Sequence, residues 1–226
     1  MSRLVVALDV PSPDEAERVV DELYDLDPLF KVGLEALFGY PERILRYCEL
    51  RDARCVIDAK LHDIPRTAAA AARHLVHPFV RAITLHACGG VAMMRATVES
   101  VRERAAELEI AAPHVLGVTV LTSLASPHGV LPLAREAREA GCSGVVCGVH
   151  EVRDVKASLG ADFLVMAPGV RPLGSEPGDQ RRVATPAEAA AAGADYLVVG
   201  RPILDAPDRH AAAVAVLEEI AAGSIA

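Results

Sequence analysis

Tryptophan is absent from this 226-residue chain, and only four Phe and four Tyr are present. An aromatic core is therefore excluded. The interior has to be built from Val, Leu, Ile and Ala, and an apolar share of 52% supplies them in quantity. Positive charge is also scarce: 23 Lys and Arg face 31 Asp and Glu, a formal net charge of −8. That balance argues against non-specific binding to nucleic acid or to an anionic membrane, both of which need a basic surface. An anionic ligand would have to be held by a few local cations against the overall field. Long apolar runs are missing too. None approaches the ~18 residues of a membrane span. The first, Leu4 to Leu8, meets Asp9 too early for a secretory leader. The five cysteines (Cys48, Cys55, Cys88, Cys142 and Cys147) form no CxxC pair and no zinc-like spacing. Scattered, odd-numbered thiols predict a reduced, cytoplasmic protein, with Cys88 and Cys147 as small buried filler. Met1 and the short C-terminal tail favour a free-standing chain.

What is present is an alternation. Short apolar runs fall at 3–8, 29–33, 54–58, 81–86, 114–120, 144–147, 162–167 and 195–199, separated by Ala-rich segments of helical period. Near-continuous apolar character predicts strands buried on both faces, as in a parallel sheet covered by helices. Ser12-Pro13-Asp14-Glu15 and Thr185-Pro186-Ala187-Glu188 each place a hydroxyl at the N-cap, Pro at the first helical position and Glu at the third. The Ala tracts 67–74 and 187–192 read as helix, since Ala is the best helix former. Eight strand–helix units in a chain of this length predict an α/β fold, a (β/α)8 TIM barrel forming a single domain over 1–226. A doubly wound open sheet is the alternative, but the first strand–turn, Asp9 to Pro13, has no glycine for a phosphate loop. One connection, residues 168–185 (PGVRPLGSEPGDQRRVAT), is out of proportion to the rest and predicts a binding loop or lid.

In such a barrel the active groups sit at the C-terminal ends of the strands. There the chain offers Asp9, Lys31, Asp58, Lys60, His86, Thr122, Arg171 and Arg201. The densest stretch is Val56-Ile57-Asp58-Ala59-Lys60-Leu61-His62-Asp63-Ile64-Pro65. Strand side chains alternate, so Asp58 and Lys60 project to the same side, with Asp63 in the turn beyond and Lys31 at the end of the neighbouring strand. The expected result is a Lys–Asp–Lys–Asp array, in which carboxylates hold the lysines charged. A structural ion-pair network at the rim would use the same residue types.

Asp58-Ala59-Lys60-Leu61-His62-Asp63-Ile64-Pro65-Arg66-Thr67 resembles the D-x-K-x-H-D-I-P-x-T signature of the orotidine 5′-phosphate decarboxylase family. Ala7-Leu8-Asp9, Phe30-Lys31-Val32-Gly33 and Val118-Thr119-Val120-Leu121-Thr122-Ser123 support the resemblance. So do Ala167-Pro168-Gly169-Val170-Arg171, Gly178-Asp179-Gln180 and Val199-Gly200-Arg201-Pro202, in the family's order across nearly the whole chain. The resemblance implies decarboxylation of orotidine 5′-monophosphate to uridine 5′-monophosphate, the last step of de novo UMP synthesis, with no metal and no organic cofactor. It implies Lys60 as proton donor to C6, Asp58 beside the departing carboxylate, and Lys31 paired with Asp58 and the ribose. Asp9 would contact the ribose hydroxyls, and Thr122 or Ser123 the pyrimidine edge. Arg171, Gln180, Gly200 and Arg201 would hold the phosphate and close over it, and Pro168 would also contact the substrate. It also implies a homodimer in which Asp63 and Thr67 reach the partner's site. Neither nucleic acid nor membrane is an expected partner.

Some residues depart from the pattern or stay outside it. Leu173 is apolar where some relatives are polar, which weakens the expectation of loop contacts to the base. His62 is expected to pack or to bond backbone, His86 to be structural or to line the mouth, and Arg181 and Arg182 to be solvated. Among rivals, the 3-keto-gulonate phosphate decarboxylases and hexulose phosphate synthases share D-x-K-x-x-D but use magnesium. The His62–Pro65 continuation and the Lys31 segment favour the orotidine enzyme. A Schiff-base aldolase would need a neutral Lys60, which Asp58 and Asp63 oppose. A non-catalytic nucleotide sensor would have no use for both lysines and both aspartates.

Overall fold

Eight short segments rich in Val, Leu and Ile become the strands β1 (Arg3–Ala7), β2 (Leu29–Val32), β3 (Cys55–Leu61) and β4 (Val80–His86), then β5 (His114–Val118), β6 (Gly144–Val146), β7 (Leu164–Ala167) and β8 (Tyr196–Val199). All pair in parallel and in chain order, and β1 closes on β8 from Arg3↔Tyr196 to Val6↔Val199. This closure excludes the open sheet. The computed structural model describes residues 2–123, 129–172 and 184–225.

Helices cover the barrel. They are α1 (Pro13–Leu23), α2 (Leu34–Gly39), α3 (Pro41–Leu50), α4 (Pro65–Arg73) and α5 (Gly90–Glu107) in the first half. α6 (Val130–Glu139), α7 (Val152–Leu159), α8 (Pro186–Ala191), α9 (Arg201–Leu204) and α10 (Arg209–Ile225) follow. Both expected N-caps form. Thr185 and Glu188 make a reciprocal capping box at α8, whereas Ser12 accepts from Glu15 N at 3.3 Å without a return bond. The Glu15 carboxylate pairs with Arg18 and Arg209 instead, and the second of these pairs ties α10 to α1. Alanine on the inner faces lets helices approach closely. A Cβ on Gly223 of α10 would overlap the Ala187 backbone of α8. Among the described residues, no helix is long and apolar enough to cross a membrane.

The core has two shells. The larger lies between strands and helices; the smaller fills the barrel with Val5, Leu29, Val56, Ala82, Leu116 and Met166 among others. Period-two alternation then carries the inward direction two residues further along each strand. On β2, β3 and β4 that step reaches Lys31, Asp58 and Thr84; on β5, β6 and β8 it reaches Val118, Val146 and Val198. One side of the upper interior is thus polar and the other apolar. β3 is longer than the 54–58 run because its pairing with β4 jumps from Ile57↔Ile83 to Leu61↔Leu85, four residues against two. The irregularity holds Lys60 at φ 49°, in the left-handed region. For a non-glycine residue that costs roughly 1–2 kcal/mol. All five thiols are free, and four are buried. Cys88 is exposed, contrary to the expectation of buried filler, because it sits in the single turn between β4 and α5 with its side chain outside both shells.

Candidate active site

At the C-terminal end of the barrel the strands open into a cavity of about 570 Å³. Asp9, Lys31, Asp58 and Lys60, from the ends of β1 to β3, line one side. Pro168, Arg171, Gly200 and Arg201, from the ends of β7 and β8, line the other, and Thr122 and Ser123 after β5 lie between. Strands distant in sequence therefore bring these ten expected residues around one space.

The charged side is closely connected. Lys60 Nζ donates to Asp58 Oδ2 at 2.6 Å, and Lys31 Nζ lies 3.5 Å from the same oxygen. Lys31 Nζ also donates to Asp9 Oδ1 at 3.0 Å. The remaining Asp58 oxygen, Oδ1, accepts from the Thr84 hydroxyl at 2.8 Å. Burial by itself would push the Asp58 carboxyl up, since only 8% of the residue is exposed. The charges of Lys31 and Lys60, with hydrogen bonds from Lys60 and Thr84, outweigh it and hold the group below its usual value. Gly33 leaves room for the cluster: a Cβ there would lie 2.8 Å from both Asp9 Oδ1 and Lys31 Nζ.

The opposite side carries positive charge. Burial and the neighbouring Arg201 charge lower the Arg171 guanidinium from its ordinary value, and its Nε is buried with no hydrogen-bond partner among the described residues. Two adjacent guanidiniums repel unless an anion lies between them, and a forked donor suits a phosphate. Arg171 is fixed by its own backbone, which donates to Ala184 O at 2.9 Å where the two arms of the long connection meet. Gly200 has negative φ, and a Cβ on it would make only an ordinary 3.5 Å contact with Ala7. What its missing side chain leaves is bare backbone facing the cavity.

Other expected residues lie elsewhere. Asp63 is exposed, and its Oδ1 accepts from Ile64 N at 2.7 Å. Thr67, in the first turn of α4, is exposed as well, and neither residue lines the cavity of its own chain. Gln180, Leu173, Arg181 and Arg182 lie outside the described residues. His86 is half-buried and does not line the cavity; its ring meets His62 at 5.6 Å, and burial, with His62 and Lys60, lowers it from its usual value. Thr84 was not expected. The signal was available, because Ala82 and Thr84 continue the inward alternation of β4, but a lone threonine in an apolar run reads as a strand former.

Fold and site together define an enzyme: a (β/α)8 barrel with a lysine–aspartate cluster at one end of its cavity and two arginines at the other. Residues 2–216 match the orotidine 5′-phosphate decarboxylase / HUMPS family. A curated relative from Moorella thermoacetica, named orotidine 5′-phosphate decarboxylase, is 46% identical over 96% of this chain and 92% of its own. One of the same name from Heliobacterium modesticaldum is 41% identical over 98% and 96%. A crystal structure of orotidine 5′-phosphate decarboxylase from Lactobacillus acidophilus superposes with a TM-score of 0.84 at 29% identity, covering 97% of this chain and 99% of that one. The chain belongs to the orotidine 5′-phosphate decarboxylase / HUMPS family.

Proposed function

We propose that residues 1–226 form one catalytic unit that decarboxylates orotidine 5′-monophosphate to uridine 5′-monophosphate and CO2. The observation that carries this reading is the lysine-clamped Asp58 facing two arginines across one cavity, in a chain whose curated relatives share that name. The phosphate lies between Arg171 and Arg201, with Gly200 beside it; Gln180, a further expected ligand, lies outside the described residues. The ribose meets Asp9 and Lys31, and the base edge meets Thr122 or Ser123. This pose sets C6 and its carboxylate beside Asp58 and Lys60.

As the C6–carboxylate bond breaks, its electron pair stays on C6 and CO2 departs. The ring delocalises that charge poorly, so a preorganised cation beside C6 supplies the main stabilisation. Lys60 is that cation. It then transfers one proton to C6 and is reprotonated from solvent after product leaves. Asp58, kept ionised, disfavours the bound carboxylate more than the transition state, in which that charge has moved to C6. Binding energy at the distant phosphate positions the base.

No step of this reaction is routed through a metal. Both Asp58 oxygens are committed to lysines and Thr84, a donor set unlike that of a metal-bound sugar-phosphate site. A second copy of the chain completes the site through Asp63 and Thr67. Exposed apolar side chains support a partner at this end: Phe38 at 86%, Leu34 at 44%, Ile64 at 62% and Leu121 at 41% all follow the C-terminal ends of β2, β3 or β5. The deciding assay is turnover of orotidine 5′-monophosphate in EDTA-containing buffer, followed by loss of absorbance. Activity under those conditions is expected; magnesium-dependent action on a sugar phosphate, with no turnover of the nucleotide, would replace this reading with its rival.

A further inference from the structure

Lys60 has two unusual requirements. Its backbone is left-handed without being glycine, and its ammonium has to sit against one chosen oxygen of Asp58. Both requirements meet at one hydroxyl. Thr84 Oγ1 accepts from the Lys60 backbone N–H at 3.0 Å and donates to Asp58 Oδ1 at 2.8 Å. Thr84 is fully buried, lies on the neighbouring strand, and does not line the cavity. The bond to Lys60 falls where β3 advances four residues against two of β4, so a side chain serves the backbone there. The bond to Asp58 fixes Oδ1 and leaves Oδ2 for both lysines. A hydroxyl can give its one proton to the carboxylate while a lone pair takes the amide, so the two bonds reinforce each other.

We propose that Thr84 is a positioning residue for the decarboxylation, its hydroxyl locking the Lys60 backbone and the Asp58 carboxylate into one rigid unit. The inference rests on the function proposed above. Thr84 touches no substrate and acts only through these two residues. An ammonium displaced by a fraction of an ångström from C6 loses rate without losing affinity, because the phosphate contacts lie at the far side of the cavity.

The test compares Thr84→Val, nearly isosteric and without the hydroxyl, with Thr84→Ser, which keeps it. Thr84→Val is expected to lower kcat about ten- to hundredfold, with uridine 5′-monophosphate affinity within about threefold of wild type. Thr84→Ser is expected to restore most of the rate. Hydrogen exchange gives a readout independent of turnover: the Lys60 amide should exchange faster in Thr84→Val, while amides of β1 and β8 stay protected. Should Thr84→Val not fold, Thr84→Cys, a poor donor of similar volume, takes its place with the same expectations. Wild-type kcat in the hydroxyl-free variant, an equal loss in the serine variant, or a defect confined to KM would each overturn the proposal. A wild-type protein inert toward orotidine 5′-monophosphate would instead overturn the functional reading. The exchange difference would still decide whether the lock exists.

Discussion

Asp58 shows how a single carboxylate can be buried and still stay ionised. Removing it from water disfavours the charge, and two ammonium groups and a hydroxyl restore it. The sign of the pH effect follows. A carboxyl held low in the fold contributes stability that is present above its unfolded value of ~3.9 and is lost as pH falls through the lower folded value. In Lys31→Ala one of the two compensating charges is gone and burial gains weight, so the Asp58 titration should move up. Carboxyl 13C shifts across an acid titration would read that movement, and an unchanged or lower midpoint would contradict it. Lys60→Ala removes the cation nearest Asp58 and, on the proposed mechanism, the proton donor. A fall in kcat of about 10³-fold or more, ~4 kcal/mol, is expected, with binding of uridine 5′-monophosphate retained. A variant within about tenfold of wild type, a loss of only ~1.4 kcal/mol, would mean that another group delivers the proton.

At the scale of elements, the helix caps differ in what they hold. Thr185 caps α8 reciprocally and also ends the long connection one residue after Ala184, which anchors Arg171. Thr185→Ala should cost about 1 kcal/mol in stability by denaturant titration and should also raise KM, since Arg171 loses its tether. Ser12→Ala, at a one-sided cap remote from the site, should leave KM unchanged. Equal KM effects would detach the loop from its cap. The same elements explain what could be read beforehand. All eight strands were legible because parallel strands covered on both faces leave unbroken apolar runs, and both caps were legible because hydroxyl, Pro and Glu stand at fixed offsets. Lys31 and Asp58 point inward as alternation predicts, and Lys60 joins them across the irregular stretch of β3. The irregularity in β3 was hidden, because it depends on how two strands slip past one another and not on either sequence alone. Thr84 was hidden with it. The exposure of Cys88 depends on a one-turn connection that carries no periodic signal.

At the scale of the molecule, the exposed positions of Asp63 and Thr67 give a sharp prediction. If Asp63 serves the partner's site, Lys60→Ala and Asp63→Ala homodimers are each crippled. After subunit exchange, each hybrid holds one doubly defective site and one intact site. Equal mixing makes half the dimers hybrid, so about a quarter of wild-type activity should return, as two-fold symmetry requires. Verified exchange with activity fixed at the average of the two mutants would place Asp63 within its own chain's chemistry or outside it altogether. The distance across the cavity makes a second demand. Arg201→Ala should slow the nucleotide severely and the phosphate-free nucleoside hardly at all, because a remote group's binding energy is expressed only when the group is present. Equal losses would make Arg201 a structural residue.

The division of the barrel interior has a consequence for how such a protein can change. On the function proposed above, the bond-breaking residues come from the first three strands and their polar interior row, whereas the groups that grip the anion come from the last two. Chemistry and address are therefore written in separate halves of the chain. Diversity introduced after Ala167 could retarget the barrel to a differently shaped phosphate ester while the proton-delivering half passes unchanged from one descendant to the next.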